Sequence, residues 1–239
     1  MKKAVQCAGV DGKLLSGNLN VIMGPSGCGK TTLINILSGR MPPADHVQVL
    51  DELSDGQAEL TSLSSSRCRR RMGYVPQEDV LHANLTVREN LDYAACLRMP
   101  PGTPGSWRSA VVYAIMKDLE LYPRQDQVVG SEQAPAISGG QRKRVNIGMG
   151  MVALPPILFM DEPTSGLDGR MSLEVIRLVR RLAQVARMNM TAVIHQPSAE
   201  AFLEFDYVLL LTTDKRVAYH GPPAGCHVYF GPRGLGFNW

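Results

Sequence analysis

An α/β fold is predicted by three features of the sequence. Short apolar runs that read as buried strands alternate with amphipathic helical stretches along the 239 residues. One strand-to-helix junction, Gly24-Pro25-Ser26-Gly27-Cys28-Gly29-Lys30-Thr31-Thr32, carries the phosphate-binding pattern G-x-x-x-x-G-K-[ST]. Lys30, Asp161 and His195, the residues best suited to chemistry, fall at the ends of predicted strands, where open parallel sheets bind ligands.

In order along the chain, residues 4–18 are punctuated by glycine and suit a small sheet or loop. Leu19–Met23 reads as a buried strand, and Thr32–Leu37 as a helix that Ser38-Gly39 can end. Met41-Pro42-Pro43 breaks the chain. His46–Leu50 is a candidate strand before a polar region that reaches Ser66, and Cys68-Arg69-Arg70-Arg71 reads as a solvated edge before the strand Met72–Val75. Thr86 is a plausible N-cap for a helix over Val87–Arg98. Met99–Ser106 is a loop, and Trp107–Leu121 a helix whose buried face is Val111, Val112, Ile115, Met116 and Leu119; the Trp and Met residues here are expected in the core. Ser138–Ala153 is a helix with a basic opening at Arg142, Lys143 and Arg144. Ile157–Met160 is a strand ending in Asp161-Glu162. Gly169–Arg187 is an amphipathic helix with Val175, Val179, Leu182 and Ala186 aligned. Thr191–Ile194 is a strand with His195 at its end, and Asp206–Thr212 with Arg216–Tyr219 forms a hairpin around Thr213-Asp214-Lys215.

Composition narrows the function. Lys and Arg total 25 against 22 Asp and Glu, a net charge of +3 that gives no basis for a nucleic-acid partner. No apolar run is long enough to span a bilayer, and Met1-Lys2-Lys3 does not open a secretory signal. Cys7, Cys28, Cys68, Cys96 and Cys226 are scattered without metal-ligand spacing and read as reduced thiols. Cys28, at a helix N-terminus in an anion site, has reason for a lowered pKa, so a thiol reagent is expected to block nucleotide binding through it.

The glycines of the loop let backbone N–H groups turn around an anion, and the helix N-terminus adds its positive dipole end. Lys30 supplies a mobile charge for the β and γ phosphates, and Thr31 a hydroxyl for Mg2+. Phosphoryl transfer also needs a group to hold the metal and one to orient water. Asp161, closing an apolar strand, suits the first role and Glu162 the second.

Further motifs lie in order around these. Ile137-Ser138-Gly139-Gly140-Gln141 resembles the signature of ATP-binding cassette (ABC) ATPases. Val75-Pro76-Gln77 resembles their Q-loop, Ile157–Pro163 their Walker B segment, Ser165-Gly166-Leu167-Asp168 their D-loop and Ile194-His195-Gln196 their switch histidine. Gly140–Gly148, His195-Gln196-Pro197-Ser198 and Tyr219-His220-Gly221-Pro222 are similar to the ABCG, White-type half-transporters. The resemblance implies a P-loop NTPase (RecA-like) core over 1–78 and 151–239, with a small N-terminal β region and an inserted α-helical signature subdomain over 79–150. It implies a chain without its transmembrane domain, working at the cytoplasmic face of a membrane and coupling ATP hydrolysis to transport; the alternatives are a soluble ABC-type ATPase not coupled to transport and a nucleotide-binding module with little turnover of its own.

The implied mechanism is a head-to-tail dimer of two nucleotide-binding domains, identical or not, sandwiching ATP. Gly24 to Thr32, Gln77 and Asp161 would bind nucleotide and Mg2+ in one protomer, while Ser138, Gly139, Gly140 and Gln141 would cap the γ-phosphate from the other. Glu162 would polarise water, His195 would hold the active geometry, Gln77 would sense Mg2+, and Asp168 would couple the two sites. No Phe, Tyr or Trp precedes Tyr74 to stack on adenine, which predicts weak discrimination between ATP and GTP.

Overall fold

The computed structural model describes residues 14–41, 50–52, 58–60, 72–131 and 133–231. Its centre is a six-stranded sheet in the order β4-β5-β6-β1-β7-β8, formed by β1 (Leu19–Met23), β4 (Met72–Val75), β5 (Ile157–Asp161), β6 (Asn189–Val193), β7 (Tyr207–Leu211) and β8 (Val217–Gly221). Pairings from β4 through to β7 are parallel, and β8 closes the edge antiparallel to β7. Two short strands, β2 (Leu50–Glu52) and β3 (Ala58–Leu60), pair with each other in a separate antiparallel ribbon. Strand β3 falls inside the polar region that reaches Ser66. Most of the strand expected over 46–50, the basic run at 68–71 and positions 4–13 of the stretch 4–18 lie outside the described residues.

Strands β1, β5 and β6 are buried along nearly their whole length, polar Asn20, Asn189 and Thr191 included, because helices cover both faces of the sheet. Leu158, Met160, Met190 and Ala192 join one core cluster; Ile22, Phe159 and Val193 join another beneath α1 (Lys30–Leu37). The first cluster extends into α2 (Val87–Arg98), α3 (Gly105–Asp118), α4 (Gly139–Met151) and α5 (Gly169–Ala186).

Helix α2 begins in a capping box: Thr86 Oγ1 accepts from the Glu89 amide, and the Glu89 carboxylate accepts from the Thr86 amide. Such a cap contributes about 1 kcal/mol. The predicted apolar face of α3 is buried as expected, whereas Trp107 is 57% exposed and not part of the core. Ala186 likewise lies exposed at the end of α5, while Val175, Val179 and Leu182 are buried. Helix α4 leans on α2 and α3 on one side and on β4, β5 and α5 on the other. It joins the helical layer to the sheet.

Two short helices escaped the sequence reading, α6 (Ala199–Leu203) and α7 (Pro223–Phe230). Their signals were present. Ser198 caps α6 by accepting from the Ala201 amide, and Pro223 occupies the first turn of α7, where its missing N–H costs nothing.

Candidate functional site: four strand ends and a helix N-terminus

Neighbouring strands β4, β5, β6 and β1 deliver the expected residues at their carboxyl ends. Gln77 follows β4, Asp161 closes β5 and Glu162 follows it, His195 follows β6, and the phosphate loop follows β1. Parallel strands spaced roughly 4.8 Å apart bring these groups, distant in sequence, onto one ledge.

The loop backbone requires its glycines: Gly27 and Gly29 sit at φ of 80° and 98°, in the left-handed region that L side chains avoid, with open space where a Cβ would go. Lys30 is buried, and its Nζ donates to the carbonyls of Gly24 at 2.8 Å and Pro25 at 3.0 Å. Ser26 is exposed on the loop, and Thr31 Oγ1 lies 3.2 Å from Asp161 Oδ1. Thr32 continues α1. Cys28 contradicts the sequence reading. Its thiol is 1% exposed and packs with Ile22, Leu33 and Ile34 under the loop, closed to a reagent in solution.

Asp161 is buried, and its second oxygen accepts from the Tyr74 hydroxyl at 3.3 Å. Burial first, then the Asp161 charge and this hydrogen bond, push the Tyr74 phenol up to about 12, against a smaller opposing pull from Arg40. The Arg40 guanidinium stacks 4.1 Å from the Tyr74 ring centre. Tyr74 was missed because an aromatic inside a strand reads as core. A carboxylate and a hydroxyl 3.2 Å apart form the hard-oxygen donor set that suits Mg2+, which takes few protein ligands and keeps waters. Among the described residues no cluster of three or more His, Cys, Asp or Glu could hold a metal ion, which is compatible with so sparse a set.

Glu162 sits at φ 47°, a conformation uncommon for a non-glycine residue and concentrated at functional sites. Both carboxylate oxygens are held. Gln77 Nε2 donates to Oε2 at 2.8 Å, and His195 Nε2 lies 3.0 Å from Oε1. Gln77 thus presents its amide to Glu162, a contact the sequence reading did not give it.

The signature residues form a separate group. Ser138 caps α4, accepting from the Gln141 amide, while the Gln141 side chain accepts from the Ser138 amide. Gly139 and Gly140 open the helix with φ in the ordinary range, and Ser138, Gly140 and Gln141 line a shallow cavity with Arg144, Met171 and Glu174. A Cβ on Gly140 would meet nothing nearer than Met171 Sδ at 3.7 Å. Neither strain nor crowding within the chain demands glycine there, and glycine costs a helix about 1 kcal/mol relative to alanine. Asp168 caps α5 by accepting from the Met171 amide at 2.8 Å, so the fold alone accounts for it.

A family profile described as ABC transporter matches residues 7–165. The chain belongs to the ABC transporter family. Among its relatives, ABC transporter G family member 28 of Arabidopsis thaliana is 39% identical over 234 residues, covering 98% of this chain and 20% of that protein. The broad substrate specificity ATP-binding cassette transporter ABCG2 of Rattus norvegicus is 37% identical over 221 residues, covering 92% of this chain and 32% of that protein. This ABC domain therefore spans about a fifth of the length of the first curated relatives it matches.

Solved ABC structures share its fold. The cbiO1 protein of Clostridium perfringens, part of the transporter complex cbiONQ, aligns with TM-score 0.71 at 23% identity over 89% of this chain and 80% of that one. The dimeric structure of MJ0796, a bacterial ABC transporter cassette, aligns with TM-score 0.67 at 25% identity over 88% of both chains. The chain is an ABC-type ATPase domain, with a P-loop NTPase fold, homologous to the nucleotide-binding domains of ABCG transporters.

Proposed function

We propose that this domain is the ATP-hydrolysing engine of an ABCG-type transporter. Two copies, or this chain and a related one, sandwich ATP head to tail at the cytoplasmic face of a membrane, and their closure drives a membrane-spanning partner domain. No helix among the described residues is long and apolar enough to cross a membrane itself.

The observation that carries the hydrolytic reading is the Glu162 carboxylate, gripped at both oxygens by Gln77 and His195 beside Asp161 and Thr31. A base so oriented accepts the proton of a water attacking the γ-phosphorus, while His195 steadies it and Lys30 leaves its loop carbonyls to meet phosphate oxygens. Mg2+, held by Thr31 and Asp161, would supply charge neutralisation of the triphosphate. Tyr74 holds the far oxygen of Asp161 and leaves the one facing Thr31 for that task.

The head-to-tail reading is supported by Gly140. A glycine that the chain's own packing does not require, at a helix N-terminus over an open cavity, suits close approach of an anion brought by another molecule. Ser138, Gly139 and Gln141 would join it in capping the γ-phosphate of the partner's ATP, and Asp168 would couple the two sites. On the same reading the domain divides into a core over 1–78 and 151–239 and a helical unit over 79–150. With no aromatic residue upstream of the loop, discrimination between ATP and GTP is expected to be weak, and a strong ATP preference in competition binding would contradict this.

Glu162→Gln tests the proposal. It should bind ATP without turnover and elute in ATP as a dimer by size-exclusion chromatography. A Glu162→Gln protein that hydrolyses ATP like wild type would remove Glu162 from the chemistry.

A further inference from the structure

The basic opening of α4 plays no role in the reading above, yet Arg142 and Lys143 are each only 8% exposed. A buried ammonium is costly unless charge and hydrogen bonds compensate it. Here the compensation comes from the segment around Gln77. Lys143 Nζ lies 2.9 Å from Asp79 Oδ1 and donates to the Gln77 carbonyl at 2.8 Å. Asn146, 3% exposed, donates to Asp79 Oδ1 and to the Pro76 carbonyl, both at 3.3 Å. Arg142 flanks Asp79 Oδ2 at 3.8 Å and donates to the Gly130 carbonyl at 2.7 Å.

Residues 76, 77 and 79 are thus fastened to one face of α4. The Gln77 side chain reaches the other way, to Glu162 at 2.8 Å, and His195 grips the far oxygen. A continuous line runs from Lys143 through Gln77 and Glu162 to His195. Its first link is a charged amine on a backbone carbonyl, which fixes where the Gln77 backbone sits and so where its amide points.

We infer that Lys143 and Asp79 are positioning residues for Glu162, acting through Gln77. Through them the helix headed by Ser138-Gly139-Gly140 is tied to the carboxylate that polarises water. The inference rests on the hydrolytic reading of Glu162.

The test is a double-mutant cycle on the chain, reading kcat and KM for ATP in saturating Mg2+. Lys143→Met should lower kcat about tenfold with KM little changed, the factor carried by one charge-assisted hydrogen bond. Lys143→Arg should restore most of it. In a Gln77→Ala background the same Lys143→Met change should cost less than about twofold, because the link it acts through is already cut. Equal losses in both backgrounds would overturn the inference and leave the hydrolytic reading standing. A wild-type chain that binds ATP and never turns it over would contradict that reading instead. If Lys143→Met loses its cooperative melting transition, Asp79→Asn replaces it in the same cycle with the same expectations.

Discussion

The strand-end ledge and the head of α4, which the proposed function assigns to the same ATP, are built in opposite ways. On the ledge, backbone geometry does the placing: parallel register aligns β4, β5, β6 and β1, and each side chain emerges where its strand stops. At the head of α4 the Ser138–Gln141 capping box shapes the helix end, and side chains buried behind it hold the helix in place. A site built on strand ends is as rigid as its sheet. One built on a helix end is placed by the side chains that fasten the helix, here Lys143 and Asn146 on residues 76–79.

The largest expected effect breaks the ledge. Glu162→Gln should reduce kcat by about 10²–10⁴-fold, the usual contribution of a general base, while ATP affinity measured by equilibrium binding stays near wild type. Next comes the helix head. Gly140→Ala should raise the melting temperature, since alanine favours the helix by up to about 1 kcal/mol and its methyl group fits beside Met171. Because that methyl lies against Met171, the change expected to cut turnover, by about tenfold or more, is Gly140→Asp, whose carboxylate would repel an incoming phosphate at the helix N-terminus. A Gly140→Asp protein that folds with unchanged turnover would assign Gly140 no ligand.

A smaller effect sharpens the view of the ledge. Tyr74→Phe should cost about 1 kcal/mol in denaturant unfolding at neutral pH, for the lost hydrogen bond to Asp161. Burial and the Asp161 charge favour the neutral phenol in the folded state, so its stabilisation is complete below the ordinary value near 10 and is lost as pH rises towards 12. Wild type should therefore lose stability across that window more steeply than Tyr74→Phe, and parallel curves would contradict the assignment.

The smallest effect concerns the thiols. Cys96 is exposed while Cys28 and Cys226 are buried. Burial pushes the Cys226 thiol up to about 11, against a smaller lowering from its hydrogen bond with Tyr219. Mapped by mass spectrometry, alkylation of the native protein should reach Cys96 well before Cys28 and leave nucleotide binding intact.

The same contrast explains what was legible in the sequence. The phosphate loop, the Thr86 cap and the apolar face of α3 are local patterns, and each forms where expected. The bonds from Asp79 to Asn146 and from Tyr74 to Asp161 join residues 67 and 87 positions apart. No periodicity announces such a pairing. The sequence shows Arg142-Lys143-Arg144 only as a basic opening of a helix, and the packing of α4 against the β4 end is what buries its first two members. Cys28 misled for a related reason, since its place in an anion-binding loop says nothing about which way its thiol turns.

In the proposed dimer, ledge and helix head serve one ATP from two different chains. The most direct measurement of this is the turnover of Lys30→Ala and Gly140→Asp proteins, separately and mixed. Each alone should be inactive, because each homodimer lacks the same half of both sites. An equimolar mixture should recover up to about a quarter of wild-type turnover, since half the pairs are mixed and each holds one intact site of two. A mixture no more active than its components would contradict the shared site.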